Sequence, residues 1–290
     1  MFLFFIKKIY MKKRLIFHFY LTDNWLEQKT NKIHLCCLKY FANIFNEMTF
    51  VIVIDDLTNT DLIYGFEDFI INLKVCTNIN FIVKHNTVFR DSQTFYDEIV
   101  SKIDKLDGLT FFGHNKGLTN YTNPVFKRDD VEKWITTMYY GCFSDVQEME
   151  YALTEDRCVG YGTLLSSYTL QDDKTKKEHS AIWFGKERYQ YMGTFFWINC
   201  QTLCAYMKNT EKSLPIMADR WYAENFFSNI ITQEYCGSFE YRWMINDYTF
   251  GKNMDYIINL CFEKETVDKY YDFHTFILNK TEEISSDGVV

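Results

Sequence analysis

The residue types able to do chemistry fall in two short polar runs, each following a wholly or mostly apolar one. In Gly113-His114-Asn115-Lys116-Gly117, directly after the run at 109–112 (LTFF), two glycines bracket a histidine, an asparagine and a lysine. Glycine lets backbone approach a ligand closely, and a lysine ammonium is a compact charge suited to phosphate oxygens. His114 adds a donor able to stabilise a leaving diphosphate as charge develops on it. The same five residues also read as a polar turn with a solvated lysine. The second run is Asp55-Asp56, which ends the apolar stretch 50–54 (FVIVI). There is no Walker-type loop, no G-x-G-x-x-G after a strand, no G-x-S-x-G elbow and no H-E-x-x-H helix. His18, His34 and His85 show no ligand spacing, and Cys200 with Cys204 is a pair without a second pair, so no zinc site is expected.

The elements that must hold these runs follow one another along the chain. The apolar run 15–21 fits a buried strand, and 31–48 carries Leu38, Phe41, Phe45 and Met48 at helical steps. The 50–54 stretch reads as a central parallel strand, followed by a helix with Leu62, Phe66, Phe69, Ile70 and Leu73. A strand at 81–83 precedes a helix carrying Phe95, Ile99 and Ile103, with Ser92 as its expected cap. Four strands separated by three helices predict right-handed crossovers and a parallel, doubly wound sheet. Such sheets bind ligands at the carboxyl ends of their strands, and both polar runs fall on that edge.

The second half is less regular. Residues 129–153 read as a helix, with Asp129 and Glu132 spaced like a capping box and Val131, Trp134, Ile135 and Met138 facing inward. The stretch 169–179 is a charged loop, 192–200 a buried strand or strand–helix junction, and 219–231 a helix opened by Asp219. Beyond Thr266 the chain turns polar and acidic, and its last ten residues are expected to fray. With no repeat or linker, residues 1–11 read as an extension, 12–265 as one domain and 266–290 as an acidic tail.

Composition narrows the classes. A formal charge of −8 leaves no basic excess for a nucleic-acid backbone. With 19% aromatics but only 12 Gly and 2 Pro in 290 residues, the chain resembles neither a turn-rich β-sandwich nor a disordered polymer. Nine cysteines, two of them adjacent at Cys36 and Cys37, point to reduced, packed thiols and a cytoplasmic setting. Residues 1–6 are apolar, but Lys7, Lys8, Lys12, Lys13 and Arg14 follow at once, which allows at most a peripheral membrane contact.

Four segments in order resemble a family of glycosyltransferases of lipopolysaccharide and capsule synthesis: Phe112-Gly113-His114-Asn115-Lys116-Gly117, the helix around Trp134 and Met138, Gly193-Thr194-Phe195-Phe196-Trp197, and Arg220-Trp221-Tyr222-Ala223-Glu224. The likeness spans roughly residues 12–231. Thr194 stands where the family usually has Asn, Phe196 where it has a first Trp, and no His precedes Gly193 in Tyr189-Gln190-Tyr191-Met192.

Residues 50–61 (FVIVIDDLTNTD) are similar to the second strand of nucleotide-sugar transferases with the GT-A fold. The resemblance implies a GT-A-like, Rossmann-like α/β fold with a mostly parallel central sheet flanked by helices and a helix-rich second half facing the acceptor. It assigns Asp55 or Asp56 to the nucleotide base or ribose, although both also read as an acidic cluster ahead of a helix N-terminus. It implies a UDP- or GDP-sugar donor, a glycan or lipid-linked saccharide acceptor, and the diphosphate on Gly113, His114, Asn115, Lys116 and Gly117. Where GT-A enzymes usually carry Asp-x-Asp, this chain has Gly113-His114-Asn115, a poor hard-cation set, so transfer independent of Mg²⁺ or Mn²⁺ is expected. Transfer needs a base near the acceptor hydroxyl. Glu224 is the candidate, with a plain surface pair to Arg220 as its alternative reading. Gly193, Trp197 and Arg220 fall to the acceptor and sugar side, Trp197 reading equally as a core residue. A non-catalytic nucleotide-sugar or glycan-binding protein on the same scaffold is the other function this pattern allows.

Overall fold

A computed structural model of the chain describes residues 11–74, 78–115, 126–155, 158–163, 165–169, 187–191, 193–217, 222–231, 235–238, 253–285 and 288–289. The first half alternates as expected: β1 (Lys13–Tyr20), α1 (Lys29–Tyr40), β2 (Glu47–Ile54), α2 (Thr60–Asn72), β3 (Ile79–His85), α3 (Asp91–Glu98) and β4 (Leu109–His114). Then come α4 (Arg128–Phe143), α5 (Val146–Thr154), β5 (Gly160–Gly162), β6 (Leu165–Thr169), β7 (Glu187–Tyr191), β8 (Phe196–Asn199), α6 (Cys200–Thr210), α7 (Tyr222–Asn225) and β9 (Cys236–Ser238). Helices α8 (Met254–Cys261) and α9 (Lys264–Glu282) and the small pair β10 (Ile284–Ser285) and β11 (Gly288–Val289) close the chain.

Seven strands form one mixed, mostly parallel sheet in the order β3-β2-β1-β4-β8-β5-β9, flanked by helices, while β6 and β7 pair apart from it. Strands β1 to β4 are mutually parallel, so their carboxyl ends share one edge. Strand β8 pairs antiparallel to β4, which brings the start of β8 to that same edge. Side chains alternate across the pleat. In β1, Leu15, Phe17 and Phe19 enter the core under α1, α2, α4, α8 and α9, while Ile16 enters a second core with Phe95 of α3, Leu203 of α6 and Phe226 beside α7. His18 and Tyr20 share the face of Ile16.

Several element boundaries differ from the sequence reading. The helix expected over 31–48 stops at Tyr40, and a 3₁₀ turn at Ala42–Ile44 keeps Phe45 in the core before Met48 enters β2. Ser92 does not cap α3; the helix begins at Asp91, and the Ser92 hydroxyl instead accepts the Ala223 N–H of α7 at 3.1 Å. No capping box forms on α4, because the helix starts at Arg128 and both acids lie inside it. Asp129 pairs with Lys133 at 2.7 Å, and buried Glu132 with Lys29 at 3.1 Å. The helix expected over 129–153 breaks at Ser144 and restarts as α5, capped by Asp145 on Glu148 N–H. Beyond Thr266 the polar composition hides an apolar stripe, Val267, Tyr270, Phe273 and Ile277, that seats α9 in the first core. Where fraying was expected, β10 and β11 pair.

The eight described cysteines are free thiols, all but Cys204 buried. No described helix is long and apolar enough to cross a membrane.

Candidate functional site

At the carboxyl edge, the face carrying α3 gathers polar side chains from every parallel strand. Tyr20 ends β1 and its hydroxyl donates to Asp55 Oδ2, while Asn86, just past β3, donates to Asp55 Oδ1 at 2.9 Å. These two hydrogen bonds hold the Asp55 carboxyl below its ordinary pKa, and the bond to Asp55, with burial, pushes the Tyr20 hydroxyl up to about 12. Asp55 is therefore a fixed, exposed carboxylate. Each oxygen takes one hydrogen bond from the protein and keeps a lone pair for an incoming hydroxyl. Asp56 points its carboxylate back on the chain, accepting the Thr58 N–H at 2.9 Å and the Thr58 hydroxyl at 2.7 Å. It shapes the turn into α2, whose cap is Asn59.

Two strands over, His114 ends β4, roughly 10 Å from β2 by strand spacing. Its Nε2 lies 2.9 Å from the Gly193 carbonyl. A carbonyl only accepts, so Nε2 carries the proton and Nδ1 faces Asp91 of α3, with Oδ2 at 3.9 Å. Beneath this pair sits His18, level with His114 in the β1–β4 register, its ring 6.3 Å away. Burial pushes the His18 pKa down to about 4, and its Nδ1 is 2.9 Å from the Thr94 hydroxyl. His18 is thus a neutral support, and His114 and Asp91 are the groups with access to solvent.

Backbone strain marks both flanks of the edge. Four described non-glycine residues have positive φ, and two of them, Arg90 (52°) and Thr194 (59°), lie here. At Arg90, φ 52° and ψ −129° with the Ser92 N–H donating to the Phe89 carbonyl at 3.1 Å describe a turn whose second position calls for glycine. Thr194 is β-branched, follows Gly193 (φ 81°), and keeps a buried hydroxyl without a hydrogen-bond partner. Such conformations cost of the order of 1–3 kcal/mol each and persist where the surroundings over-determine them. A Cβ on Gly193 would sit 2.5 Å from Met138 Sδ, so that glycine answers both a positive φ and a close approach.

The expected site residues divide. Asp55 and His114 lie on one edge and one face, and Gly193 reaches that edge through its carbonyl on His114. The Asn115 side chain is spent on the sheet: its oxygen accepts the Tyr20 N–H, and its amide donates to the Tyr20 carbonyl, both at 2.9 Å, and to Asn31 at 3.1 Å. Gly113 makes room for rings, since a Cβ there would lie 2.9 Å from Phe111 and 3.3 Å from Phe17. Trp197 is fully buried, stacked on Phe45 and donating its indole N–H to the Cys142 carbonyl at 2.9 Å, which makes it a core residue. Glu224 is half-buried on α7, beside the Ala223 that bonds α3 next to Asp91. Lys116, Gly117, Arg220 and the loop at 170–179 lie outside the described residues. Among the described residues no three His, Cys, Asp or Glu side chains converge as a cation would require. Asp91, Tyr20, Asn86 and Arg90 join the site without having been singled out in the sequence. A period-two reading of β1 from the buried Ile16 would have found Tyr20.

No protein-family model matches this chain, and no curated protein sequence matches it.

Proposed function

We propose that this chain is a GT-A-like glycosyltransferase that moves a sugar from a UDP- or GDP-sugar donor to a glycan or lipid-linked saccharide acceptor. The observation that carries the reading is the shared edge. A fixed carboxylate at the end of β2 and an oriented histidine at the end of β4 face the same side and flank β1, where the strand order β3-β2-β1 reverses to β4. Such a reversal of strand order, at the carboxyl ends, is where open α/β sheets take nucleotides. In this arrangement Asp55 accepts from ribose or base. His114, polarised by Asp91 and the Gly193 carbonyl, lies nearer the reacting end, and Glu224 takes the acceptor proton. The donor set favours neutralising the diphosphate by protein cations, with Mg²⁺ or Mn²⁺ dispensable.

A thermal-shift panel of nucleotide sugars tests this, since a ligand bound only by the native state must stabilise it. One UDP- or GDP-sugar is expected to raise Tm and to be slowly hydrolysed, in the presence of chelator as well as without it. Glu224→Gln should abolish turnover while sparing the shift. No shift with any donor overturns the reading, and a shift without hydrolysis or transfer turns it into a binding protein.

A further inference from the structure

Arg90 stands out as the residue whose position the fold does not explain. It occupies the second position of the turn into α3, with a φ of 52° and ψ of −129° that glycine adopts freely and arginine does not. The turn is pinned on both sides, the Arg90 N–H donating to the Thr87 carbonyl at 3.1 Å and the Arg90 carbonyl accepting from the Gln93 N–H at 3.2 Å. Its side chain returns nothing to the fold that is visible. Lys84, the other cation at the β3 end, pairs with Asp97 and Glu98 at 2.9 and 2.6 Å, whereas Arg90 is exposed and forms no ion pair with a described residue. Its field nonetheless reaches Tyr20, whose hydroxyl pKa, raised chiefly by the bond to Asp55, it pulls the other way.

We infer that Arg90 is the anion-binding arm of this edge, holding the diphosphate of a nucleoside diphosphate whose ribose or base lies on Asp55 and Tyr20. The chemistry fits the residue type. A guanidinium offers a planar fork of donors that matches phosphate oxygens two at a time, is weakly hydrated, and stays charged at any working pH. The Tyr20 ring is locked by its bond to Asp55 and by the Asn115 clamp on its backbone, so it offers a fixed wall within reach of the Arg90 charge. Strain retained at a solvent-exposed residue whose side chain has no ion pair among the described residues is what a functional constraint leaves behind. The assignment rests on the donor-site reading above, and it makes Arg90 a diphosphate partner on the β3 side of the carboxyl edge.

The test separates stability from binding. Wild type, Arg90→Gly and Arg90→Lys are titrated calorimetrically with UDP, GDP, inorganic pyrophosphate and the bare nucleosides, and each variant is unfolded in urea. Arg90→Gly should raise the urea midpoint or leave it unchanged, because glycine relieves the turn. The same change should weaken UDP or GDP by roughly 10- to 100-fold, abolish pyrophosphate binding and leave nucleoside binding intact. Arg90→Lys, which keeps the charge but loses the fork, should fall between. The inference is overturned if Arg90→Gly binds the diphosphates within about twofold of wild type, or if wild type binds neither pyrophosphate nor a nucleoside diphosphate. Arg90-dependent binding without sugar transfer would uphold the anion site while removing the transferase reading.

Discussion

At the scale of single residues, the carboxyl edge combines groups held in place with groups held at a cost. Thr194 belongs to the second kind: a β-branched residue at φ 59° with a buried, unpartnered hydroxyl. Asparagine and glycine tolerate that region far better than threonine does. Thr194→Gly removes the strain and the orphaned hydroxyl together, at the price of some packing. It should raise stability by about 1 kcal/mol, read as a higher urea midpoint at constant m-value. A lower midpoint would show that the side chain's contacts outweigh its conformation.

At the scale of elements, β1 and β4 are joined beyond their last ladder pair by a side chain. Asn115 does for Tyr20 what another backbone residue would do, exchanging one acceptor and one donor with it, while its own N–H reaches the His18 carbonyl at 3.1 Å. Asn115→Ala should therefore cost about 2–3 kcal/mol by leaving the Tyr20 and Asn31 groups unpaired, measured by urea unfolding. If stability holds and only donor affinity falls, Asn115 is a ligand contact and not a strand extension. The same residues show what was legible beforehand. Apolar runs such as 50–54 have one physical solution, burial on both faces of a parallel sheet, and the order of four strands and three helices followed from them. Caps were not legible, because Ser92 and Asp129 have the right chemistry for capping and are used elsewhere, by Ala223 and Lys133, through contacts distant in sequence or inside the helix. Trp197 was ambiguous for a similar reason: an aromatic ring suits a sugar and a core equally, and only its bond to Cys142 decides. Arg90 carries no signal at all in sequence, since its meaning lies in a backbone angle.

At the scale of the whole molecule, two of the three buried described histidines, His18 and His274, lie on opposite sides of the sheet and are held neutral. Desolvation pushes both His18 and His274 down to about 4 from an ordinary value near 6.5. For His18 the neighbouring Asp91 opposes the shift while His114 and Lys84 add to it; for His274, Asp129 and Asp255 oppose while Lys133 and Lys29 add. The unfolded chain therefore takes up protons first as pH falls below 6.5, so the stability these sites contribute is whole above that pH and drains away toward pH 4. Urea unfolding should show a loss on the order of 1–2 kcal/mol per histidine between pH 7.5 and 5, ahead of the titration of paired carboxylates such as Glu47 and Glu98, which lie below their ordinary values. A His18→Gln, His274→Gln chain should flatten that interval; an unchanged slope would place the protons elsewhere.

The seat of α9 bears on how such a chain is made. Its Thr281 hydroxyl meets Cys36, its Phe273 ring meets Tyr40 at 5.2 Å, and Lys32 of α1 donates to the Ile284 carbonyl at 3.0 Å. The outer flank of α1 is thus covered by a stretch synthesised more than 200 residues after it. Until α9 has been made, the growing protein carries a greasy helix with no lid, and a chain cut short before Lys264 is fit for chaperones and proteases, however complete its parallel strands.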